Sequence, residues 1–361
     1  MDWGASVRTF GEQPETAEPS NDEASAARGP TTVTAKTTND DSAQAAEVAR
    51  VTVDLDQAGK RLDRALAERL GISRARVRHL LEVGRVASAE RVLSLSDKGL
   101  PTQSGDRFTI SGSLRAEDEK PIPRPDLDLV IVAEGLGWLV VDKPSGCGVH
   151  PLRPDQDDTV LNAVVAHCPQ IVGVGEGGLR SGVVHRLDVD TTGALVFAKD
   201  EMHWKRFRGA FAEHRVKKTY RALVAGNFEQ ARRVDLSLEI TRHHPAHVAV
   251  VADGRPCRQH VTPIESFADA TLVEVRLETG FLHQIRATMA HLDHPVIGDK
   301  EYGSGEDRDP DEASSPLEPM SVSRQMLHAA RLSVDEISVD VPMPEDFLSV
   351  LESFRRRARQ L

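Results

Sequence analysis

Apolar residues follow different rhythms in successive parts of this chain. Over residues 1–48 they are sparse, and Ser, Thr, Ala, Glu and Asp dominate. Such a segment cannot bury enough surface to offset chain entropy, so a disordered acidic tail is expected. Residues 49–113 read as a small unit. Leu62, Leu66 and Leu70 recur at helical spacing and Gly71 stops them. Ser73 then fits the N-cap of a second helix with Val77, Leu80 and Leu81 on one face, ended by Gly84. A turn at Gly105-Asp106 leads into a strand over Arg107–Ile110. Residues 114–127, with Pro121, Pro123 and Pro125 among charges, read as a linker.

From 128 to 361 the pattern predicts one larger domain. Trp138–Val141 reads as a strand, followed by the turn Asp142–Gly146. The unbroken apolar run Ala194–Ala198 reads as a buried strand. Residues 201–214 predict a helix with Trp204, Phe207 and Phe211 on one face, then a strand over Lys218–Val224. Thr271–Leu277 alternates like a strand, and Ile285, Met289 and Leu292 mark a helix after Gly280. Residues 303–320 form an acidic stretch with Pro and Ser, expected to be a flexible loop. Strands and helices alternate irregularly, which points to an α+β fold rather than a regular βαβ series. No internal repeat is visible.

The net charge of −11 argues at first against a nucleic-acid partner, but its distribution changes that picture. Residues 1–50 hold nine acidic and four basic side chains, and residues 303–320 hold six and one. Residues 60–85 instead carry eight Lys/Arg against three Asp/Glu, and residues 201–221 seven against two. A polyanion responds to the local field, not the total; the plain alternative is two solvated helical faces. Cys147, Cys168 and Cys257 show no C-x-x-C spacing, which fits a reduced cytoplasm better than a disulfide framework or a Cys-rich zinc site. No 18-residue apolar stretch occurs, so a membrane span is not expected. The N-terminus has no apolar signal core, so neither is export.

Candidate chemistry gathers at His185-Arg186-Leu187-Asp188. This string lies between a Gly-rich stretch (Gly173 to Gly182) and the small polar turn that precedes the buried run. It places Asp188 on a loop anchored to a rigid strand, a common position for functional groups. On local sequence, Asp188 is equally readable as a structural carboxylate neutralised by Arg186. His185 reads as a hydrogen-bonded loop residue rather than a general base. Further pieces are Lys217-Lys218-Thr219-Tyr220, the run Thr279–Arg286 with His283, Gln284 and Arg286, its continuation His294–Asp299, and Met326–Ala329 with Leu327. The histidines His283, His291, His294 and the group His243, His244, His247 invite a metal, but no H-E-x-x-H is present and none is expected. No G-x-S-x-G elbow supports a Ser hydrolase. The Gly-rich stretch lacks the Gly-Lys-Ser/Thr of a phosphate loop.

Two resemblances follow. Arg61-Leu62-Asp63, Leu66, Leu70, Ser73–Val77 and Gly84-Arg85-Val86 resemble the S-four-type RNA-binding domain, although Ala87-Ser88-Ala89 stands where that family usually has Val-Asn-Gly. The resemblance implies a small α+β RNA-binding unit over 49–113, with Arg61, Arg64, Arg74, Arg76 and Arg85 facing RNA phosphates. From about Leu136 onward, Lys143–Gly146 and the pieces above, in this order, resemble the RluA family of RNA pseudouridine synthases. One departure is that Gly280-Phe281-Leu282 precedes His283-Gln284 where the family often has Gly-Arg-Thr.

This second resemblance implies a mixed, largely antiparallel sheet with a central cleft. Asp188 would be the catalytic carboxylate, Tyr220 a base-stacking ring and Arg286 the partner of Asp188. Substrate contacts would come from Arg186, Lys218, His283, Gln284 and Leu327. Turning uridine into pseudouridine breaks a carbon–nitrogen bond, makes a carbon–carbon bond and leaves redox state unchanged, so no cofactor is expected. The carboxylate must be ionised, and an Arg within ~4–6 Å favours that form. The target base must leave its stack, and an aromatic platform offsets part of that cost. The pairing of these two domain types implies large-subunit ribosomal RNA as partner, with transfer RNA as the alternative substrate. No obligate protein partner is evident; the basic surface suffices for a monomer to work alone, and the sequence leaves the oligomeric state open. A reading of another class is a noncatalytic RNA-binding ribosome-assembly factor that kept the fold. Such a protein should have lost at least one of Asp188, Tyr220 and Arg286, and all three are present.

Overall fold

The computed structural model describes residues 50–54, 58–243, 245–303 and 322–360. The expected disordered tail and the acidic loop beyond Gly303 lie outside the described residues, as does His244.

The small unit begins with strand β1 (Arg50–Asp54), then helices α1 (Leu62–Leu70) and α2 (Arg74–Glu82). Strands β2 (Val86–Ala87), β3 (Val92–Leu93) and β4 (Arg107–Ser111) complete it, in the sheet order β1-β4-β2-β3. Gly71 ends α1 in the left-handed conformation at φ 65°. The Ser73 hydroxyl caps α2 by accepting from the Arg76 backbone N–H at 3.1 Å. The leucines singled out by helical spacing pack with Val77, Phe108 and Ile110 into one core. Fully buried Asp63 sits under α2, bonded to Arg74 and Arg78 at 3.0 and 3.1 Å and to Arg61 at 3.3 Å. Burial works to raise its pKa, but the three guanidinium groups outweigh that and pull it down to about 2.

The segment expected as a linker is pinned along its length. Buried Glu119 accepts from Arg76 at 2.5 Å and Arg85 at 3.1 Å. Asn162 donates to the Ile122 carbonyl at 2.8 Å, and Arg124 N–H donates back to Asn162 at 3.0 Å. A buried carboxylate with two guanidinium partners holds an extended chain in place where proline content alone predicts a semi-rigid spacer.

The large domain opens with β5 (Val130–Glu134), β6 (Trp138–Lys143) and α3 (Val160–His167), then β7 (Thr192–Ala198) and α4 (Glu201–Ala212). Next come β8 (Lys217–Ala225), β9 (Arg232–His243), β10 (Ala246–Val250), β11 (Arg255–Ser266) and β12 (Ala270–Leu277). Helix α5 (Gln284–His291), strands β13 (Leu327–Val334) and β14 (Ile337–Asp340), and helix α6 (Glu345–Ala358) finish it. Among the described residues these strands form one ten-stranded sheet, β10-β9-β11-β12-β8-β13-β7-β6-β5, with β14 on β13. All pairings are antiparallel except β13 with β7, so the fold is α+β with a mixed, largely antiparallel sheet.

Every residue of β7 is buried because both faces of the sheet are covered there. Leu195 and Phe197 join the core that includes Leu161 and Val164 of α3 and Ile285 and Met289 of α5. Ala194, Val196 and Ala198 meet Phe207 and Ala210 of α4 on the other side. That two-sided burial explains the continuous apolar run. The parallel contact is short, His328 with Thr192 and Ala329 with Gly193, and it lies at the entry to β7, directly after the loop that carries Asp188.

Candidate active site

The Asp188 loop is held from inside by two buried cations. Lys143, fully buried at the end of β6, donates to the carbonyls of Val189 (2.7 Å), Thr191 (3.1 Å) and Pro144 (2.7 Å). Arg324 donates to the Asp190 carbonyl at 3.3 Å and is paired with Asp346. Burial lowers the Lys143 pKa to about 8, so at neutral pH it keeps its charge, and its three acceptors are backbone dipoles. The loop thus has little freedom, and the Asp188 carboxylate is presented half-buried at its edge.

Arg286, in the first turn of α5, reaches this carboxylate. Its Nη1 donates to Asp188 Oδ2 at 3.0 Å. Its other edge is bidentate to Asp299, Nε to Oδ2 at 2.7 Å and Nη2 to Oδ1 at 2.9 Å. Burial acts against the Arg286 charge, but Asp299 and Asp188 outweigh it and hold the group above its ordinary value. Asp299 also accepts from the backbone N–H groups of Glu301 and Tyr302 at 3.0 and 3.1 Å. The Tyr302 ring lies 5.0 Å from the Arg286 guanidinium. Its hydroxyl bonds His283 Nδ1 at 2.9 Å and accepts from Val248 N–H at 2.8 Å. Asp299 and Tyr302 therefore orient Arg286 from behind, and the sequence reading assigned neither. Asp299 lies within a quoted run, but no local spacing announces its pairing with a residue 13 positions earlier.

Asp188, Arg286 and Tyr220 converge on one cavity of about 70 Å³, which Arg186, Leu277, Phe281, His283, Gln284 and Leu327 also line. Tyr220 comes from β8, where its backbone is paired with Val275 of β12. Burial and the nearby Asp188 charge push its phenol well above the ordinary value, so it stays neutral. Leu327 is buried at the start of β13. His283 has a left-handed backbone (φ 50°) and places Nε2 4.0 Å from Asp188 Oδ1. Burial lowers its pKa, with the Asp188 charge opposing. Among the described residues no group of three His, Cys, Asp or Glu is arranged to hold a metal.

A wider groove of about 450 Å³ adjoins this cavity, and Arg186, Lys218, Arg208 and Arg255 line it. Burial lowers the Lys218 pKa to about 8, and its Nζ donates to the Thr279 carbonyl at 3.2 Å. His185 also faces the groove. Its Nε2 accepts from Val196 N–H at 3.1 Å, its ring stacks on Phe211 at 4.7 Å, and burial drives its pKa down to about 3. It is a neutral, hydrogen-bonded wall residue, as its loop position suggested.

Gln284, which lines the cavity, is largely buried, its amide donating to the Arg258 carbonyl at 3.2 Å and accepting from Thr279 at 3.1 Å, so it also shapes the turn before α5. One expectation changes. Arg76, expected to face RNA, turns inward: its side chain is 10% exposed, and besides Glu119 it donates to the carbonyls of Ser113 and Leu114. Arg85 shares the Glu119 carboxylate. Arg61, Arg64 and Arg74 remain at the surface.

Residues 137–291 match the family model described as RNA pseudouridylate synthase. The ribosomal large subunit pseudouridine synthase D of Zymomonas mobilis is 36% identical over 313 residues, covering 82% of this chain and 94% of that protein. The protein of the same name from Vibrio vulnificus is 35% identical, covering 86% and 95%. The chain belongs to the RluA family of RNA pseudouridine synthases. A solved structure, human RNA pseudouridylate synthase domain containing 4, shares the fold at 21% identity, with a TM-score of 0.50 over 63% of this synthase and 93% of that chain. The synthase is thus an isomerase of uridine in RNA.

Proposed function

We propose that this synthase converts uridine to pseudouridine in large-subunit ribosomal RNA, with Asp188 as the essential carboxylate. The observation that carries the reading is the Asp188–Arg286 ion pair opening onto the cavity that Tyr220 lines. Arg286 sets a guanidinium against the carboxylate at 3.0 Å and fixes one of its oxygens, the positioning that a carboxylate acting on base or sugar requires. The target uridine leaves the stack, enters the cavity and lies against Tyr220 and Leu327. Asp188 assists cleavage of the bond between N1 and the sugar, the base turns, carbon 5 bonds carbon 1 of the ribose, and the proton lost from carbon 5 is balanced by one gained at N1. The neutral phenol and the apolar walls stack the base without competing for its charge. Arg186, Lys218 and the surface arginines Arg61, Arg64 and Arg74 hold surrounding phosphates, which position the RNA without reading its sequence. The names of the relatives support the ribosomal substrate. Such an enzyme works in the cytoplasm; among the described residues no helix is long and apolar enough to cross a membrane.

Two measurements test this. Asp188→Asn keeps the shape of the side chain and removes the charge; pseudouridine formation should vanish while RNA affinity stays within a few-fold. Turnover near that of the parent protein would remove Asp188 from the chemistry. Mapping pseudouridine in total RNA from cells with and without the gene should show losses confined to large-subunit ribosomal RNA. Losses in transfer RNA alone would overturn the substrate assignment.

A further inference from the structure

The groove beside the uridine cavity has aromatic walls that the handling of one base leaves unused. Phe281 lines both the cavity and the groove and is only half-buried. It sits in the turn between β12 and α5, at the point where the family pattern often carries Arg. Phe211 lines the groove too, backed by the stacked ring of His185 at 4.7 Å. Each phenylalanine has a cation over its ring, Arg255 at 5.9 Å from Phe281 and Lys218 at 5.9 Å from Phe211. Among the residues lining the groove, Asp188 is the only carboxylate, and it is paired with Arg286. Aromatic faces interleaved with cations, on a surface nearly free of acids, match the needs of an unstacked nucleotide: a π face for the base and positive charge for its phosphates. The neutral state of His185 suits this, since its ring adds a flat apolar surface rather than another cation.

We propose that the groove is a second nucleobase subsite, in which the nucleotide next to the target uridine leaves the RNA stack and lays its base on the Phe281 ring. The inference rests on the reading of the adjoining cavity as the uridine site. Extruding one base already breaks stacking on both of its sides, so a neighbour has lost half of its own stacking when the target leaves. Phe281 replaces that lost contact. Because any base has a π face, this subsite tolerates sequence and selects for a neighbour free to unstack, such as one in a loop or bulge rather than in a firm helix.

The test is a double-mutant cycle between protein and RNA. Full-length wild-type enzyme and Phe281→Ala are assayed on short RNA hairpins that contain a mapped target uridine. The hairpins carry either the natural base or an abasic ribose at the position before or after the target. On intact RNA, Phe281→Ala should lower kcat/KM roughly tenfold, mainly through KM. Removing the neighbouring base at one of the two positions should cost wild type a similar factor. The same abasic RNA should then show no further loss with Phe281→Ala. Phe281→Trp, which restores a ring, should retain most of the activity on intact RNA. Equal losses for Phe281→Ala on intact RNA and on both abasic RNAs would make Phe281 a packing residue and overturn the subsite, as would no loss at all. Wild-type turnover on intact hairpins reports on the uridine site separately: absence of pseudouridine there would overturn the underlying reading, whatever Phe281 does.

Discussion

At the scale of single residues, the site is a chain of charges whose members are unequal in burial, and burial decides what each contributes. Arg286 lies between Asp188 and Asp299, and the Asp299 side chain is 0% exposed against 8% for Arg286. Removing one partner of a buried pair costs roughly 3–5 kcal/mol where the other charge is left uncompensated, and less where, as for Arg286, a second carboxylate remains at 3.0 Å. Asp299→Ala should therefore lower the melting temperature and slow turnover together, because Arg286 loses its bidentate anchor. The Arg331–Asp340 pair, 59% and 67% exposed, is the control; Arg331→Ala should leave the melting temperature close to that of the parent. Equal effects in calorimetry would contradict this ranking. Lys218 allows a pH prediction. Its pKa falls from 10.5 to about 8 on burial, so the folded protein gives up this proton near pH 8 while the unfolded chain keeps it until higher pH. If Lys218 meets an RNA phosphate, as proposed, the charge it offers is largely in place at pH 7, half gone near pH 8 and fades further above, while folding gains stability from about pH 8 upward because the unfolded state then binds more protons. RNA affinity should weaken between pH 7 and 9, and Lys218→Gln should flatten that dependence. A variant with an unchanged slope would remove Lys218 from the RNA contact.

At the scale of elements, the loop that carries Asp188 depends on the short parallel junction of β7 with β13. Gly193 has φ +110°, and a Cβ there would stand 2.3 Å from the Ala329 carbonyl oxygen, a backbone atom that cannot swing aside. Gly193→Ala should push β13 from β7, lower stability by at least about 1–3 kcal/mol and reduce kcat by displacing Asp188; a variant melting like the parent would disprove the constraint. This junction was invisible in the sequence, since a glycine before an apolar run reads only as a turn. The elements that were legible had a local cause: α1 and α2 from leucine spacing with Gly71 and Ser73 at their ends, β7 from its unbroken apolar run, α4 from Trp204, Phe207 and Phe211. The β9–β10 hairpin was not recognised, because β9 is exposed along much of its length and rich in charge. Helix α6 was also missed, although Phe347, Leu351 and Phe354 have helical spacing and all three are buried. For the site, the resemblance supplied Asp188, Tyr220 and Arg286, whereas Asp299 and Tyr302 emerge only once β10, α5 and the turn after it are brought together. The inward turn of Arg76 was equally hidden, because its partner Glu119 lies 43 residues away.

At the scale of the whole molecule, a chain with a net charge of −11 has to meet a polyanion through local excesses of positive charge, and the sequence holds two, residues 60–85 and 201–221. In the small unit, Arg61, Arg74 and Arg78 share the single buried carboxylate of Asp63, so the cluster keeps an excess of positive charge at the surface. Arg64 stands beside it, 62% exposed, with Glu68 as its partner. Arg76 and Arg85 do a different job: through Glu119 they fasten this unit to the segment leading into the catalytic domain. The two groups of arginines should therefore separate by experiment. The double variant Arg64→Ala/Arg78→Ala leaves Asp63 with Arg61 and Arg74, so folding should survive. If each removed guanidinium contacts one phosphate, the slope of log affinity against log salt should fall by about two, while kcat at saturating RNA stays unchanged. Glu119→Gln should leave the salt slope alone and instead make the segment 114–127 more open to limited proteolysis, because Arg76 and Arg85 lose their charged partner. Swapped outcomes, with salt slope tracking Glu119 and proteolysis tracking Arg64 and Arg78, would mean that the inward pair carries the RNA contact and the outer cluster serves the fold.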